Sequence, residues 1–330
     1  MPKNGKLRLL KELEFITRYS DEFNPVSTQE IIEYLNRELG IIAERKAVYN
    51  DIDSLIDAGY DIEKVRTPKQ GYALMTRDFE ASEVYLLSDA VQSAGFISAK
   101  KSKELVNKLE GLVSKSQANL MNKHLFINNR VKTANEEVYY VIDALSKAIL
   151  NNKKVEFNYI KHGFLNGKIC EIVNERRVSP YAVFWSQDHY YLICNNEKYD
   201  NLMNLRIDRI KRIKETGETA RHFSEVSEYK TVFDVADYAK KCANMFGGEA
   251  ERITLECSQD ITDQILDKFG SDINIKSVKD GKFAFDTYAL VSDGLVGWIL
   301  QFRSKIKVLY PQHLCDKMRD TVDELKKMYK

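Results

Sequence analysis

Ala43-Glu44-Arg45-Lys46-Ala47-Val48-Tyr49-Asn50-Asp51-Ile52-Asp53-Ser54-Leu55-Ile56-Asp57-Ala58 is the stretch on which the fold turns. Val48, Ile52 and Leu55 recur at helical spacing and make one apolar stripe. The exposed start of this helix carries Arg45, Lys46, Tyr49 and Asn50, and Gly59 ends it. Working back, Ser27-Thr28-Gln29-Glu30 has capping-box spacing and opens a helix with Ile31, Leu35 and Leu39 inward and Gly40 as its stop. Before that, Leu7, Leu10, Leu13 and Ile16 predict a first helix ending near Tyr19. Working forward, two strands are expected at about 61–66 and 72–75, joined through Pro68-Lys69-Gln70-Gly71.

Three helices and a hairpin within residues 1–78 predict a winged helix-turn-helix DNA-binding domain. The start of the third helix would enter the major groove, with its positive dipole end near phosphates. Ser27, Thr28, Arg45, Lys46, Tyr49 and Asn50 are the candidate DNA contacts, with Arg66 and Lys69 on the hairpin beside Lys64. Residues 1–78 carry 12 Lys and Arg against 14 Asp and Glu, a balance reconciled with DNA binding if Asp51, Asp53 and Asp57, in the later turns of the third helix, point away from the duplex. The competing reading is a small helical module that binds protein instead.

The composition is that of a globular cytoplasmic chain of two or three domains. Of its 330 residues 44% are hydrophobic and 30% charged, with a net charge of +1. No apolar run reaches the length of a membrane span, and nothing apolar follows the first residues as a secretory signal would. Cys170, Cys194, Cys242, Cys257 and Cys315 are odd in number and scattered, which argues for free thiols rather than disulfides or a zinc site. No nucleotide-binding, zinc-protease or nucleophile-elbow motif is present, and His124, His162, His189, His222 and His313 show no ligand spacing. No enzyme, metal or cofactor is expected.

Residues 79–150 predict a helical linker, with helices near 80–93, 102–114 and 136–151, and a basic stretch from Lys100 to Lys132. The last of these helices places Val138, Ile142, Leu145 and Ile149 on one face. From 151 to 215 the pattern changes to five short strands, with Ser186-Gln187-Asp188 as a turn, which suggests a small bent sheet or barrel. This block is the most basic, with 12 Lys and Arg against 8 Asp and Glu, and is rich in aromatics. Cations interleaved with rings suit a phosphate-bearing, base-bearing ligand. Tyr159, Ser179, Tyr181, His189, Tyr190, Tyr191, Arg206 and Arg209 are the candidate ligand contacts, the two arginines being the sharpest because a guanidinium takes phosphate oxygens two at a time. The plainer alternative makes the tyrosines barrel core and pairs Arg209 with Asp208 or another nearby carboxylate. Residues 216–330 alternate helix and strand in a compact α+β unit: a helix at about 231–246, then 262–269, 293–301 and 311–328, with a hairpin turning at Asp280-Gly281.

Several segments resemble a known family. Glu44 to Leu55 followed by Ala58-Gly59-Tyr60-Asp61-Ile62 resembles the recognition helix of DeoR-like helix-turn-helix heads. Val178-Ser179-Pro180-Tyr181-Ala182-Val183, then Asp188-His189-Tyr190-Tyr191-Leu192, then Leu205-Arg206-Ile207-Asp208-Arg209-Ile210 resemble the WYL domain in its own order. Gly297-Trp298-Ile299-Leu300-Gln301-Phe302 and Val308-Leu309-Tyr310-Pro311 resemble the WCX extension that follows it. Tyr190 stands where the naming tripeptide has Trp. The resemblance implies an Sm-like small β-barrel at 151–215, a WCX unit at 216–330 serving dimerisation and ligand gating, and a multidomain α+β chain overall. It further implies a bacterial-type, homodimeric transcription regulator that binds an operator duplex and senses a nucleotide or single-stranded nucleic acid. The alternative is an accessory protein that binds single strands and has no role at a promoter.

Overall fold

The computed structural model describes residues 3–124, 132–186, 188–271 and 273–329. The chain divides into two units, Met1–Ala134 and Asn135–Lys330.

The first unit opens with α1 (Lys3–Tyr19), α2 (Thr28–Leu39) and α3 (Arg45–Asp57), then a hairpin of β1 (Ile62–Val65) and β2 (Gly71–Leu74). The capping box forms: Ser27 Oγ accepts from the Glu30 amide at 3.2 Å, and the Glu30 carboxylate accepts from the Ser27 amide at 2.7 Å. Ile16, Ile31, Leu35, Val48, Ile52, Leu55, Ile62 and Leu74 make the core. Full burial of each such side chain contributes about 1.5–3 kcal/mol. The stripe expected on α1 is corrected in part. Leu7 and Leu10 are exposed, whereas Glu12 is fully buried. The hairpin is joined to the segment before α2, since Val26 and Tyr72 exchange two backbone hydrogen bonds of 2.8 and 2.7 Å. Gly71 permits that approach, because a Cβ there would lie 2.6 Å from the Val26 carbonyl oxygen.

Three helices follow where two were expected: α4 (Ala81–Ser93), α5 (Ala99–Glu110) and α6 (Lys115–His124). They pack Val84, Val106, Val113, Ala118 and Met121 together. The far end of the basic stretch between Lys100 and Lys132 lies partly outside the described residues, as does Gln187 of the predicted turn.

The second unit begins with α7 (Val138–Leu150), which packs against β3 (Lys153–Leu165), β4 (Lys168–Ser186) and β7 (Ile210–Thr219). With β5 (His189–Asn195) and β6 (Met203–Arg206) these make one antiparallel five-stranded sheet in the order β6-β5-β4-β3-β7. The expected closed barrel is corrected here: among the described residues no pairing joins β6 to β7, so the sheet stays open. A 3-10 turn, Ile207–Arg209, connects those two edge strands. The two short strands expected at 176–178 and 182–185 are parts of the single strand β4, which pairs with β3 up to Val178 and with β5 from Ser179 on, with an irregularity between Pro180 and Ala182. Its outer half and the end of β3 form a two-stranded ribbon turning at Asn166 and Gly167, both in the left-handed region.

The helix expected at 231–246 is shorter: α8 (Val235–Lys241) begins where Asp234 caps the Asp237 amide. Then come β8 (Glu249–Ser258), α9 (Thr262–Phe269), β9 (Asn274–Lys279), β10 (Lys282–Val291), α10 (Asp293–Leu300), β11 (Ile306–Tyr310) and α11 (Gln312–Met328). The antiparallel sheet has the order β11-β8-β10-β9, so this β-α-β-β-α-β run is ferredoxin-like. Ile253, Leu255, Phe283 and Phe285 meet Ile265, Phe269, Leu295, Trp298 and Leu314 in its core. No described helix is long and apolar enough to cross a membrane.

Candidate nucleic-acid interface and ligand site

The start of α3 presents Arg45, Lys46, Tyr49 and Asn50 to solvent, as the spacing predicts. Buried Val48, Ile52 and Leu55 lock the opposite side of the helix, which fixes that face outward. Arg45 Nη2 reaches Gln29 Oε1 at 3.5 Å, and the Tyr49 ring lies 6.4 Å from Tyr72 on β2, so α3, α2 and the hairpin share one neighbourhood. Asp51 is turned toward α1, where Arg8 Nε holds it at 2.6 Å. Asp53 and Asp57 are exposed, and Asp53 lies near Tyr72, whose hydroxyl is pushed up by burial first and by Tyr49 and Asp53 after it.

Ser27 and Lys69 have structural duties. Ser27 caps α2, while Lys69 Nζ sits 2.7 Å from both oxygens of Glu30, tying the hairpin to the same cap. Thr28 is half-buried as the first residue of α2. Arg66 and Lys64 are exposed.

The eight residues singled out in the second unit fall into three groups. Tyr159, His189, Tyr191, Arg206 and Arg209 come together. Tyr191 on β5 stands opposite Arg206 on β6. The Arg206 amide donates to the Tyr159 hydroxyl at 3.3 Å, and the His189 ring is 6.3 Å from that of Tyr191. Burial pushes the Tyr159 hydroxyl up, while Arg209 works against it through charge and a side-chain hydrogen bond. His189 is held low, by burial first and the charge of Arg206 second. Ser179 and Tyr181 lie apart: Ser179 Oγ accepts from the Arg221 amide at 2.9 Å, and the Tyr181 ring packs 6.2 Å from both Phe223 and Phe233. Tyr190 stacks on Trp185 with centroids 6.5 Å apart, on the opposite side of β5 from His189 and Tyr191.

The pairing of the arginines differs from the plainer alternative, which gave Asp208 or another carboxylate to Arg209. Arg206, not Arg209, holds Asp208, through Nε at 3.0 Å and Nη2 at 2.7 Å. Among the described residues no carboxylate pairs with Arg209. Sequence reasoning missed a second basic cleft of about 380 Å³, lined by Arg176, Arg177, Arg212, Lys214, Glu156 and Glu175. The run Arg176-Arg177 facing Arg212 and Lys214 across β3 was its only signal. Arg176 Nε, Tyr181 Oη and His189 Nδ1 are buried polar atoms with no protein partner. Such an atom costs about 1–3 kcal/mol until something bonds to it.

Comparison with known proteins gives two domain matches. Residues 140–215 match the family model of the WYL domain and residues 249–326 that of the WCX domain. Among solved structures, the chain is similar to proteasome accessory factor B/C (PafBC) of Arthrobacter aurescens, at 17% identity and a TM-score of 0.29. That likeness covers 97% of this chain but 48% of the other, so this chain spans about half the length of PafBC. It is also similar to a CRISPR Cas-related protein, at 13% identity and a TM-score of 0.37, over 98% of this chain and 83% of that one. Comparison with curated proteins gave no match.

Proposed function

We propose that this chain, whose residues 140–215 and 249–326 match the WYL and WCX domains, is a cytoplasmic, homodimeric, DNA-binding transcription regulator without catalytic activity, which senses a nucleotide or single-stranded nucleic acid. The observation that carries the DNA-binding part is the start of α3: Arg45, Lys46, Tyr49 and Asn50 stand exposed together while Asp51 is held back by Arg8. On this reading α3 lies in the major groove of an operator, with Arg66 of the hairpin on the phosphates. Lys69 reaches a phosphate only by leaving Glu30, and Ser27 and Thr28 set the angle of α2 through its first turn. The head is a winged helix-turn-helix in this reading.

The ligand part rests on Arg209, which bonds the Tyr159 hydroxyl but has no carboxylate partner among the described residues, and on His189 Nδ1, a buried atom without a hydrogen-bond partner. Arg209 takes a phosphate, Tyr159 and Tyr191 frame the site, and Arg206 joins only by exchanging Asp208 for the ligand. Ser179 and Tyr181 support the strand behind. Fluorescence anisotropy with DNA from directly upstream of the protein's own gene tests the proposal, against scrambled duplex and single strands over a range of salt. Tight, salt-sensitive binding to the upstream duplex that Arg45→Ala with Lys46→Ala weakens is the expected result. Unchanged binding in that double variant removes α3 from the interface, and binding to single strands alone supports the accessory protein instead.

A further inference from the structure

The ferredoxin-like sheet has one face under its helices and one face without them. On the latter, Tyr288 of β10 stands opposite Arg252 of β8, and Tyr310 of β11 pairs with Thr254 two residues along. The two tyrosines are 57% and 55% exposed, and Arg252 lies within electrostatic reach of both. With strands about 4.8 Å apart, the rings flank β8 at a separation of roughly 12 Å. Asp286 anchors this face. Thr254 Oγ1 donates to it at 2.7 Å, Lys276 Nζ lies at 2.8 Å and Arg252 Nε at 3.1 Å. Two cations share one carboxylate, so the cluster keeps a positive excess. Lys240 and Lys307 have no carboxylate partner among the described residues. Between α8 and the sheet lies a cavity of about 630 Å³ whose charged lining is Lys240, Lys241 and Arg252 against Asp237 and Asp286, with Tyr288 beside them.

We propose that this face is a second nucleic-acid site, separate from the sensor, on which a short single strand stacks bases on Tyr288 and Tyr310 and lays phosphates on Arg252, Lys240 and Lys307. Four-stranded sheets that present aromatic rings on an open face bind single strands in this way, because every base has a flat face to offer. The claim does not depend on a ligand at Arg209.

The test uses the full chain and a 5′-fluorescein oligo-dT of about ten nucleotides, followed by anisotropy and by ultraviolet cross-linking with peptide mapping. Tyr288→Ala and Tyr310→Ala are each expected to weaken binding about 5- to 100-fold, as the loss of one stacked base requires. The Phe variants retain it, and cross-links fall on peptides holding Tyr288 or Tyr310 in the parent and in Arg209→Ala alike. Absence of oligonucleotide binding overturns the proposal, as do cross-links confined to 159–209 or unchanged affinity in the double Ala variant. If sedimentation shows that the double variant only dissociates a dimer, the face belongs to a second copy of the chain and the proposal also fails.

Discussion

Replacing Glu12 by Gln should make the first unit more stable at alkaline pH and flatten its response to pH. Glu12 is fully buried on α1 beside the Asp51 carboxylate, to which it can donate a hydrogen bond only when protonated, and Arg8 Nε lies 3.4 Å from Oε1. That guanidinium is already held by Asp51 at 2.6 Å. Burial first, and the charge of Asp51 second, push the Glu12 carboxyl up to about 8 from the ordinary 4.5. The folded chain therefore holds a proton that the unfolded chain releases above its own lower value. Stability is present in full below about pH 4.5 and is lost as pH rises through the window from 4.5 to 8. At about 1.4 kcal/mol per pH unit the ceiling on that loss is roughly 5 kcal/mol. A unit of some 130 residues then loses on the order of 10 °C of its melting temperature across the window. Melts followed by circular dichroism from pH 5 to 9, for parent and Glu12→Gln, isolate this one group, since every other titration is common to both. Parallel curves, with no gain for Gln at pH 8 or above, would refute the reasoning and mean that Arg8 keeps Glu12 ionised.

Other outcomes follow from single contacts. Ser27→Ala removes the hydroxyl side of the capping box and leaves the backbone amide of residue 27 donating to Glu30, and it should cost the first unit about 1 kcal/mol in denaturant melts. Gly71→Ala forces the new Cβ against the Val26 carbonyl and should destabilise the hairpin by about 1–3 kcal/mol, seen as faster amide exchange at Tyr72. Arg209→Ala should abolish the change in operator affinity on adding the ligand while leaving ligand-free DNA binding intact. A normal response in that variant would remove the pocket from the sensor role. Asn135→Ala strips the partner from two carbonyls, those of Asp208 and Ile210, and should lower stability by about 1–3 kcal/mol in thermal melts.

The fold was most legible where local chemistry and tertiary packing agree. The Ser27 and Glu30 box, the turn before Gly71 and the Asp280-Gly281 hairpin all read directly, because each fixes a backbone conformation within four residues. The long strands β3 and β4 did not. Their outer halves, through Lys161, His162, Glu171 and Glu175, are exposed and lack an apolar alternation. The turn at Asn166 and Gly167 was the available signal, a pair suited to left-handed backbone. On α1 the leucine spacing misled because burial was decided by α3: Arg8 and Glu12 face Asp51, and so Leu7 and Leu10 turn outward. At the site, residue types were readable but partners were not. Asp208 lies two positions from Arg206 and one from Arg209, so only the curl of the 3-10 turn decides which guanidinium it takes.

That same turn has a mechanical consequence. Asn135 is the first residue of the second unit, and its side-chain amide grips the Asp208 and Ile210 carbonyls at 3.0 and 2.8 Å. The turn and the first residue of the second unit are thus held as one piece. Whatever pulls Arg206 from Asp208 therefore acts on a turn whose backbone is hydrogen-bonded to the first residue of the second unit.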